Sequence, residues 1–350
     1  MPIIKIFFKS KYNLYFMKNK YLVCGAGGFI GGHLVQSLLN DGHEVVCADI
    51  KPLESWFQIF NSNKNLSLDL KEYENCLEAT NGVDFIYNMA CNMGGMGFIE
   101  NNKAECMLSV LINTNLLRAS LVNKVKKYFF SSSACVYNAN KQTNNFIEGL
   151  KEEDAYPALP EDGYGWEKLF SERMCRHFNE DFGLETRMAR YHNVYGPFGT
   201  WDGGREKAPA AICRKVIKAK ITGNHEIEIW GDGLQTRSFL YIDDCVESIL
   251  RFMRQEKFMG PVNIGSEEMV TINQLAQMAI DIAGKQIKIH NIAGQEFIDK
   301  YGFNCPLGVR GRRSDNDLYR KKMGWEVSEP LIDGMRKTFT WIDEQVKKEK

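Results

Sequence analysis

The sequence holds ten cysteines in 350 residues, yet nowhere do two stand as Cys-x-x-Cys. No Cys-x-x-Cys is followed by a His-x-x-x-His, so a structural zinc site is not expected, and no metal is assigned. Single cysteines scattered through apolar runs behave as small hydrophobes and suit a reducing compartment, so a cytoplasmic location is expected. Net charge is also absent, with 44 basic and 44 acidic residues. No global field draws the chain to nucleic acid or to an anionic membrane, and any anionic ligand must be held by a local site. No window approaches the ~20 apolar residues of a membrane span. Internal repeats and low-complexity tracts are missing too. What remains is ordinary globular composition, 44% apolar and 25% charged, long enough for about two domains.

The opening residues 1–16 are basic and apolar but lack a leader's cleavage pattern. Either Met17 is the working start or residues 1–19 form a disordered extension. From there the pattern alternates. Strands are expected at 21–24, 44–48, 66–68, 84–87, 128–131 and 185–189, with helices at about 29–40, 71–80 and 103–121. Continuous apolar strands alternating with helices predict an α/β fold, a Rossmann-like doubly wound parallel sheet covered on both faces. After 195 the pattern turns irregular. A Gly-rich loop precedes a helix at 208–220, strands at 226–230 and 237–240, a helix at 243–253 and a strand at 261–264. A helix at 271–283, an irregular stretch around 301–307 and a helix from about 330 complete a smaller C-terminal substrate-binding lobe.

The first strand runs directly into Gly25-Ala-Gly-Gly28-Phe29-Ile30-Gly31, which opens a helix. In that position the first glycine permits the turn, the second lets backbone N–H groups approach a pyrophosphate, and the third lets helix pack on strand. Asp49 closes the next strand about 20 residues on, where a carboxylate accepts from the ribose hydroxyls and repels a 2′-phosphate. The reading is NAD, held by Gly25, Gly28, Phe29, Ile30, Gly31 and Asp49. Asp69 is placed near the adenine, with a helix cap as its alternative role. The cofactor domain is expected at 20–194 with 237–265 returning to it, and the substrate lobe at 195–236 and 266–350.

Tyr164 and Lys168 stand four apart in Tyr-Gly-Trp-Glu-Lys, on one face of a helix. An ammonium near a phenol favours phenolate, so Tyr164 is the candidate proton acceptor for a hydroxyl, with Lys168 as its electrostatic partner. Ser133, at a strand end where ligands gather in such sheets, is placed to bond the same hydroxyl. Tyr164 and Lys168 are expected to touch the cofactor as well.

These motifs resemble the extended short-chain dehydrogenase/reductase family, with SSSACVYN, YGWEK, ARYHNVYGP and VNIG in its order from Tyr21 onward. The resemblance implies transient oxidation of a nucleotide-sugar hydroxyl by NAD. Within the family, NMGGMGF, SSAC, GGREKAPAA, WGDGLQTRS and GVRGR are similar to the GDP-sugar epimerases that invert C3 and C5. A 4-keto group acidifies both of those carbons, and each inversion needs one group to remove a proton and another to return it on the opposite face. A thiol and an amine suit that exchange, so Cys135 and Lys207 are the candidate pair. The resemblance further implies that Gly94, Ser133, Cys135, Asn193, Glu206, Lys207, Ala208, Lys215, Gln235, Arg237 and Arg310 bind the GDP-sugar, and that the chain is a homodimer through the helices near 103–121 and 164–181. The stretch 294–307 is longer than the family's connection. Two rivals stay open: a nucleotide-sugar 4-epimerase or 4,6-dehydratase, and a non-catalytic NAD-binding sensor or scaffold.

Overall fold

A computed structural model describes residues 19–60 and 64–349. The expectations for the N-terminal extension and for Met17 lie outside the described residues.

Six strands, β1 (Lys20–Cys24), β2 (Glu44–Asp49), β3 (Lys64–Ser67), β4 (Phe85–Asn88), β5 (Lys127–Ser133) and β6 (Glu185–Tyr191), join the strand Val262–Ile264 in one sheet. The spatial order is Val262–Ile264, β6, β5, β4, β1, β2, β3, and every pairing is parallel. Leu22, Val23 and Cys24 of β1 are fully buried. That is the signature of a strand covered on both faces, and it explains why the pattern reads as continuous rather than alternating.

The chain leaves β1 toward β2 and β3, then returns to the other side of β1 with β4, β5 and β6. The reversal opens a crevice at the carboxyl ends of β1 and β4, where doubly wound sheets take their ligands. One face of the sheet is covered by Leu116, Leu117 and Leu70, packed on Leu22, Val46, Ile86 and Tyr128. The other face belongs to a larger core that runs without interruption from Val23 and Phe129 through Ile212, Val216, Ile249 and Leu275 to Met335 and Ile342 of the last helix, Leu331–Lys348.

Several expected elements differ in detail. The helix expected at 103–121 is two, Lys103–Met107 and Ser109–Val122, with Leu108 flattened at ψ −14° between them. The strand expected at 237–240 is also two, in different sheets. Thr236–Ser238 pairs with Met269–Thr271 and with Gly311–Arg312, whereas Leu240–Tyr241 pairs with Val194–Tyr195. Lys288–Ile292 is a strand on Glu226–Trp230 that alternation did not reveal. The stretch 294–307 opens as a helix, Gly294–Tyr301, because Phe297 is fully buried and packs edge-on against Trp230. The irregular chain follows only after Tyr301.

Candidate active site

The glycine turn holds a cavity of about 300 Å³. Gly25 adopts φ +77°, and a Cβ there would sit 2.9 Å from the Met89 carbonyl carbon at the end of β4. At Gly31 a Cβ would lie 2.1 Å from the Gly25 carbonyl oxygen. The two glycines thus let helix Phe29–Asn40 start directly against β1, and no side chain caps its N-terminus. Uncapped N–H groups at a helix start are a ready cradle for a pyrophosphate. Gly25, Gly28, Phe29, Ile30 and Gly31 all line this cavity, and so does Thr338 of the last helix. A dinucleotide therefore fits on backbone grounds.

Asp49 and Asp69 do not line it. Asp49 is buried at the end of β2, where its Oδ1 accepts from the Lys51 amide at 3.0 Å. Asp69 Oδ1 accepts from the Lys71 amide at 2.9 Å in the turn before helix Tyr73–Thr80, whose N-cap is Glu72, so Asp69 does not take the helix-cap role either. The chain after Asp49 was missed by sequence reasoning. Trp56 covers Gly27, whose Cβ would meet the indole at 2.6 Å, and Phe57 and Lys51 line the cavity. Trp56 and Phe57 belong to no motif, so only the fold reveals them.

A second cavity, of about 330 Å³, lies beside the first. Met93, Ser133, Tyr164, Tyr191 and Lys207 line both. Ser133 ends β5, and Tyr164 begins the helix Tyr164–Phe182. The Lys168 ammonium is buried 5.6 Å from the Tyr164 ring centre, 4.8 Å from that of Phe130 and 3.4 Å from Glu167 Oε2. Burial works against its charge, but Cys91 and Glu167 outweigh burial and hold Lys168 above the usual lysine range. At Tyr164 the expectation of an easily formed phenolate needs correction. Burial, reinforced by Cys91, Cys135 and Glu167, pushes the phenol well above its ordinary value, with only a Ser133 hydrogen bond opposing. The protein's own groups therefore hold Tyr164 as a neutral phenol.

Cys135 follows Ser133 in a short helical turn, and its amide donates to Ser133 Oγ at 3.2 Å. The thiol is pushed up to about 12, by burial first and then by Glu161. Lys207 is the N-cap of helix Ala208–Thr222. Two glycine-loop contacts fix it there. The Gly95 amide donates to Arg205 O at 3.1 Å, and a Cβ on Gly95 would lie 2.6 Å from Glu206 O. The Lys207 ammonium has no hydrogen bond or ion pair among the described residues, and burial lowers its pKa.

Gly94, Asn193, Glu206, Ala208, Lys215, Gln235 and Arg237 line the same cavity. Gly94 leaves room for Phe98, which its Cβ would meet at 2.8 Å. Asn193 takes φ +45° and donates to Ser238 O at 3.0 Å. Glu206 binds Arg214 at 2.5 Å, and Lys215 donates to Glu228 O at 2.7 Å. Gln235 Oε1 is buried with no partner. Arg237 is buried beside Arg312, its partner in register, and burial plus that like charge lower it to about 10.

Arg310 is not in the cavity. Its guanidinium grips Asp232 with two bonds, at 3.2 and 2.9 Å, and Arg312 lines the wall instead. Sequence reasoning missed Arg312, although it stands in the same GVRGR run. It also missed Tyr191 and Glu161, for which no spacing signal exists. Among the described residues no cluster of His, Cys, Asp or Glu forms a metal site.

Residues 21–265 match the model of the NAD dependent epimerase/dehydratase family. The chain is 47% identical over 332 residues to GDP-mannose 3,5-epimerase of Arabidopsis thaliana, covering 95% of this chain and 84% of that one. It is 46% identical over 334 residues to GDP-mannose 3,5-epimerase 1 of Oryza sativa subsp. japonica, with the same coverage of 95% and 84%. Among solved structures, MoeE5 in complex with UDP-glucuronic acid and NAD superposes with a TM-score of 0.75 at 25% identity, over 93% of this chain and 100% of that one. The two adjoining cavities, the glycine cradle at the sheet's switch point and these matches lead to one conclusion: the chain belongs to the NAD dependent epimerase/dehydratase family.

Proposed function

We propose that this protein epimerises GDP-mannose at C3 and C5 to GDP-L-galactose, with GDP-L-gulose as the product of C5 inversion alone, using NAD. One observation carries the reading. A thiol, Cys135, and an unpartnered amine, Lys207, line the same cavity as Ser133 and Tyr164. A 4-epimerase needs no such second acid/base pair, and a mere NAD sensor needs neither pair. The identity to the plant GDP-mannose 3,5-epimerases supports the same substrate.

Gly25, Gly28, Phe29, Ile30 and Gly31 would cradle the cofactor, with Asp49 toward its ribose. NAD, when bound in its oxidised form, supplies the acceptor and later donor of the C4 hydride, and a positive charge in the cavity that Tyr164 lines. Ser133 and Tyr164 hold the C4 hydroxyl. Tyr164 takes the hydroxyl proton and returns it at the end; against its burial, the phenolate this step needs would be favoured by the cofactor's positive charge together with the Lys168 ammonium. With C4 a ketone, one of Cys135 and Lys207 removes the C3 or C5 proton and the other delivers one to the opposite face. The lowered Lys207 is the more easily freed of its proton. Asn193, Glu206, Lys215, Gln235 and Arg237 hold sugar and diphosphate, and Arg310 acts by anchoring Asp232.

A homodimer is part of the proposal. Met107, Leu108 and Leu111 on one helix pair, and Trp166 and Phe170 on the adjoining helix, are large apolar residues 42–53% exposed. Such a patch marks an interface. A cytoplasmic setting is supported by cysteines scattered singly through apolar segments with no Cys-x-x-Cys among them. Among the described residues no helix is long and apolar enough to cross a membrane. The proposed division keeps the cofactor domain at 20–194 and 237–265 and the substrate lobe at 195–236 and 266–350.

The test is turnover of GDP-mannose in heavy water. The protein should incorporate deuterium at C3 and C5, whereas Cys135→Ala and Lys207→Ala should still produce transient NADH absorbance and lose inversion. Full double inversion by either variant would refute the assignment of that residue.

A further inference from the structure

We infer that Glu161 and Arg312 form a positioning pair that sets how the Cys135 thiol holds its proton. The inference rests on the proposed acid/base role of Cys135 and names the groups that act through it.

The pair reaches Cys135 from two distant parts of the chain. Arg312 lies in the short strand Gly311–Arg312 and is 4% exposed. Its guanidinium is spread over three partners. Nε donates to Gln142 Oε1 at 2.7 Å, Nη2 to Glu161 Oε1 at 2.7 Å, and Nη1 to Cys135 Sγ at 3.6 Å. Glu161 is tied to the same residue through the backbone, since its amide donates to Cys135 O at 2.9 Å. The neighbouring Gly165 leaves no slack there, because a Cβ would lie 2.4 Å from Cys135 O.

The carboxylate is only half used by this ion pair. Glu161 Oε2 is buried without a hydrogen-bond partner, and the thiol is the acidic neighbour that acts on it. A buried carboxylate oxygen without a donor is costly unless something offers a proton. The thiol S–H can do so. The guanidinium nitrogen directed at sulfur ties the ion pair to the thiol rather than leaving it closed on itself.

The two groups push in opposite directions. Glu161 raises the thiol and Arg312 lowers it. When Cys135 gives its proton to carbon, the S–H bond breaks, a C–H bond forms, and the thiolate remains beside the guanidinium. When it takes a proton the sequence reverses, and the new S–H faces Glu161. Other charged or titratable groups also face this site: Tyr164, Lys207 and Arg237. Arg237 adds a second cation behind Arg312.

The experiment is alkylation of the NAD-loaded protein by iodoacetamide at one fixed pH near 8, without sugar, with the Cys135 peptide followed by mass spectrometry. Cys305, partly exposed in the irregular stretch after Tyr301 and acted on by burial and Glu100 rather than by Glu161 or Arg312, serves as the internal reference. The rate at Cys135 follows its thiolate fraction, so a tenfold change in that fraction reads as about a tenfold change in rate. Glu161→Gln keeps an acceptor for Arg312 but removes the charge, and should speed Cys135 about tenfold relative to Cys305. Arg312→Gln should slow it about tenfold, and Arg312→Lys should restore most of the rate. Equal ratios in all folded variants, or changes of the same sign for the Glu161 and Arg312 variants, would overturn the inference. If Arg312→Gln does not fold, Glu161→Gln and Arg312→Lys decide it alone. Because no sugar is present, this outcome is separate from whether Cys135→Ala retains epimerisation, which tests the underlying role.

Discussion

The two cavities sit side by side and are built in opposite ways. The cofactor end is made of backbone: a glycine turn, an uncapped helix and the ends of β1 and β4. The sugar end is made of side chains drawn from many loops and held in ion pairs, such as Glu206 with Arg214 and Arg312 with Glu161. A backbone site tolerates almost no added atom. A side-chain site tolerates volume but is sensitive to charge. The five residues common to both, with Tyr164 and Lys207 among them, are where the two kinds of construction meet.

That contrast can be broken most severely at the junction. Tyr164→Phe should lower turnover by about a thousandfold or more, with affinity for NAD and GDP-sugar nearly unchanged, as read by steady-state rates beside equilibrium titration. A matching loss of binding would show Tyr164 to be a packing residue. Next comes the backbone site. Gly31→Ala places a Cβ 2.1 Å from Gly25 O, and overpacking of about 1–3 kcal/mol should weaken NAD at least tenfold and lower the melting temperature. Unchanged NAD affinity would mean that the turn is less rigid than its geometry implies.

Two smaller changes sharpen the comparison from either side. Asp49→Ala should cost about tenfold in NAD affinity and narrow the preference over NADP, measured by competition. Equal binding of NADP by the unaltered protein would remove the argument for Asp49. Gly95→Ala should push the glycine loop off Glu206 and displace Lys207, lowering turnover about tenfold while leaving NAD binding intact. The mildest change is Gly97→Ala. Its Cβ would meet nothing nearer than Trp230 at 3.7 Å, so kinetics should hold and stability should rise by up to about 1 kcal/mol, since Ala suits a helix better.

The same contrast explains what the sequence could tell. The cofactor cradle was legible because its residues are contiguous, and each glycine answers a local demand of strand, turn or helix. Ser133, Tyr164 and Lys168 were legible because strand end and i,i+4 spacing fix their directions. Arg310 was misplaced because Asp232, 78 residues away, claims it, and no spacing reports such a pairing. Arg312 faces the cavity because the short strand Gly311–Arg312 pairs with Thr236–Ser238, an arrangement assembled only in the fold. The phenol of Tyr164 was read too acidic because the sequence displays its Lys168 neighbour but not its burial.

The uninterrupted core has a further consequence. Met335 and Ile342 are fully buried in it, Tyr195 donates to Leu331 O at 3.1 Å, and Thr338 reaches the cofactor cavity. The last helix is therefore a keystone rather than a tail. Cooperativity must span that whole core, so unfolding should register as one transition, and a chain that stops before Leu331 would forfeit the dinucleotide along with its packing.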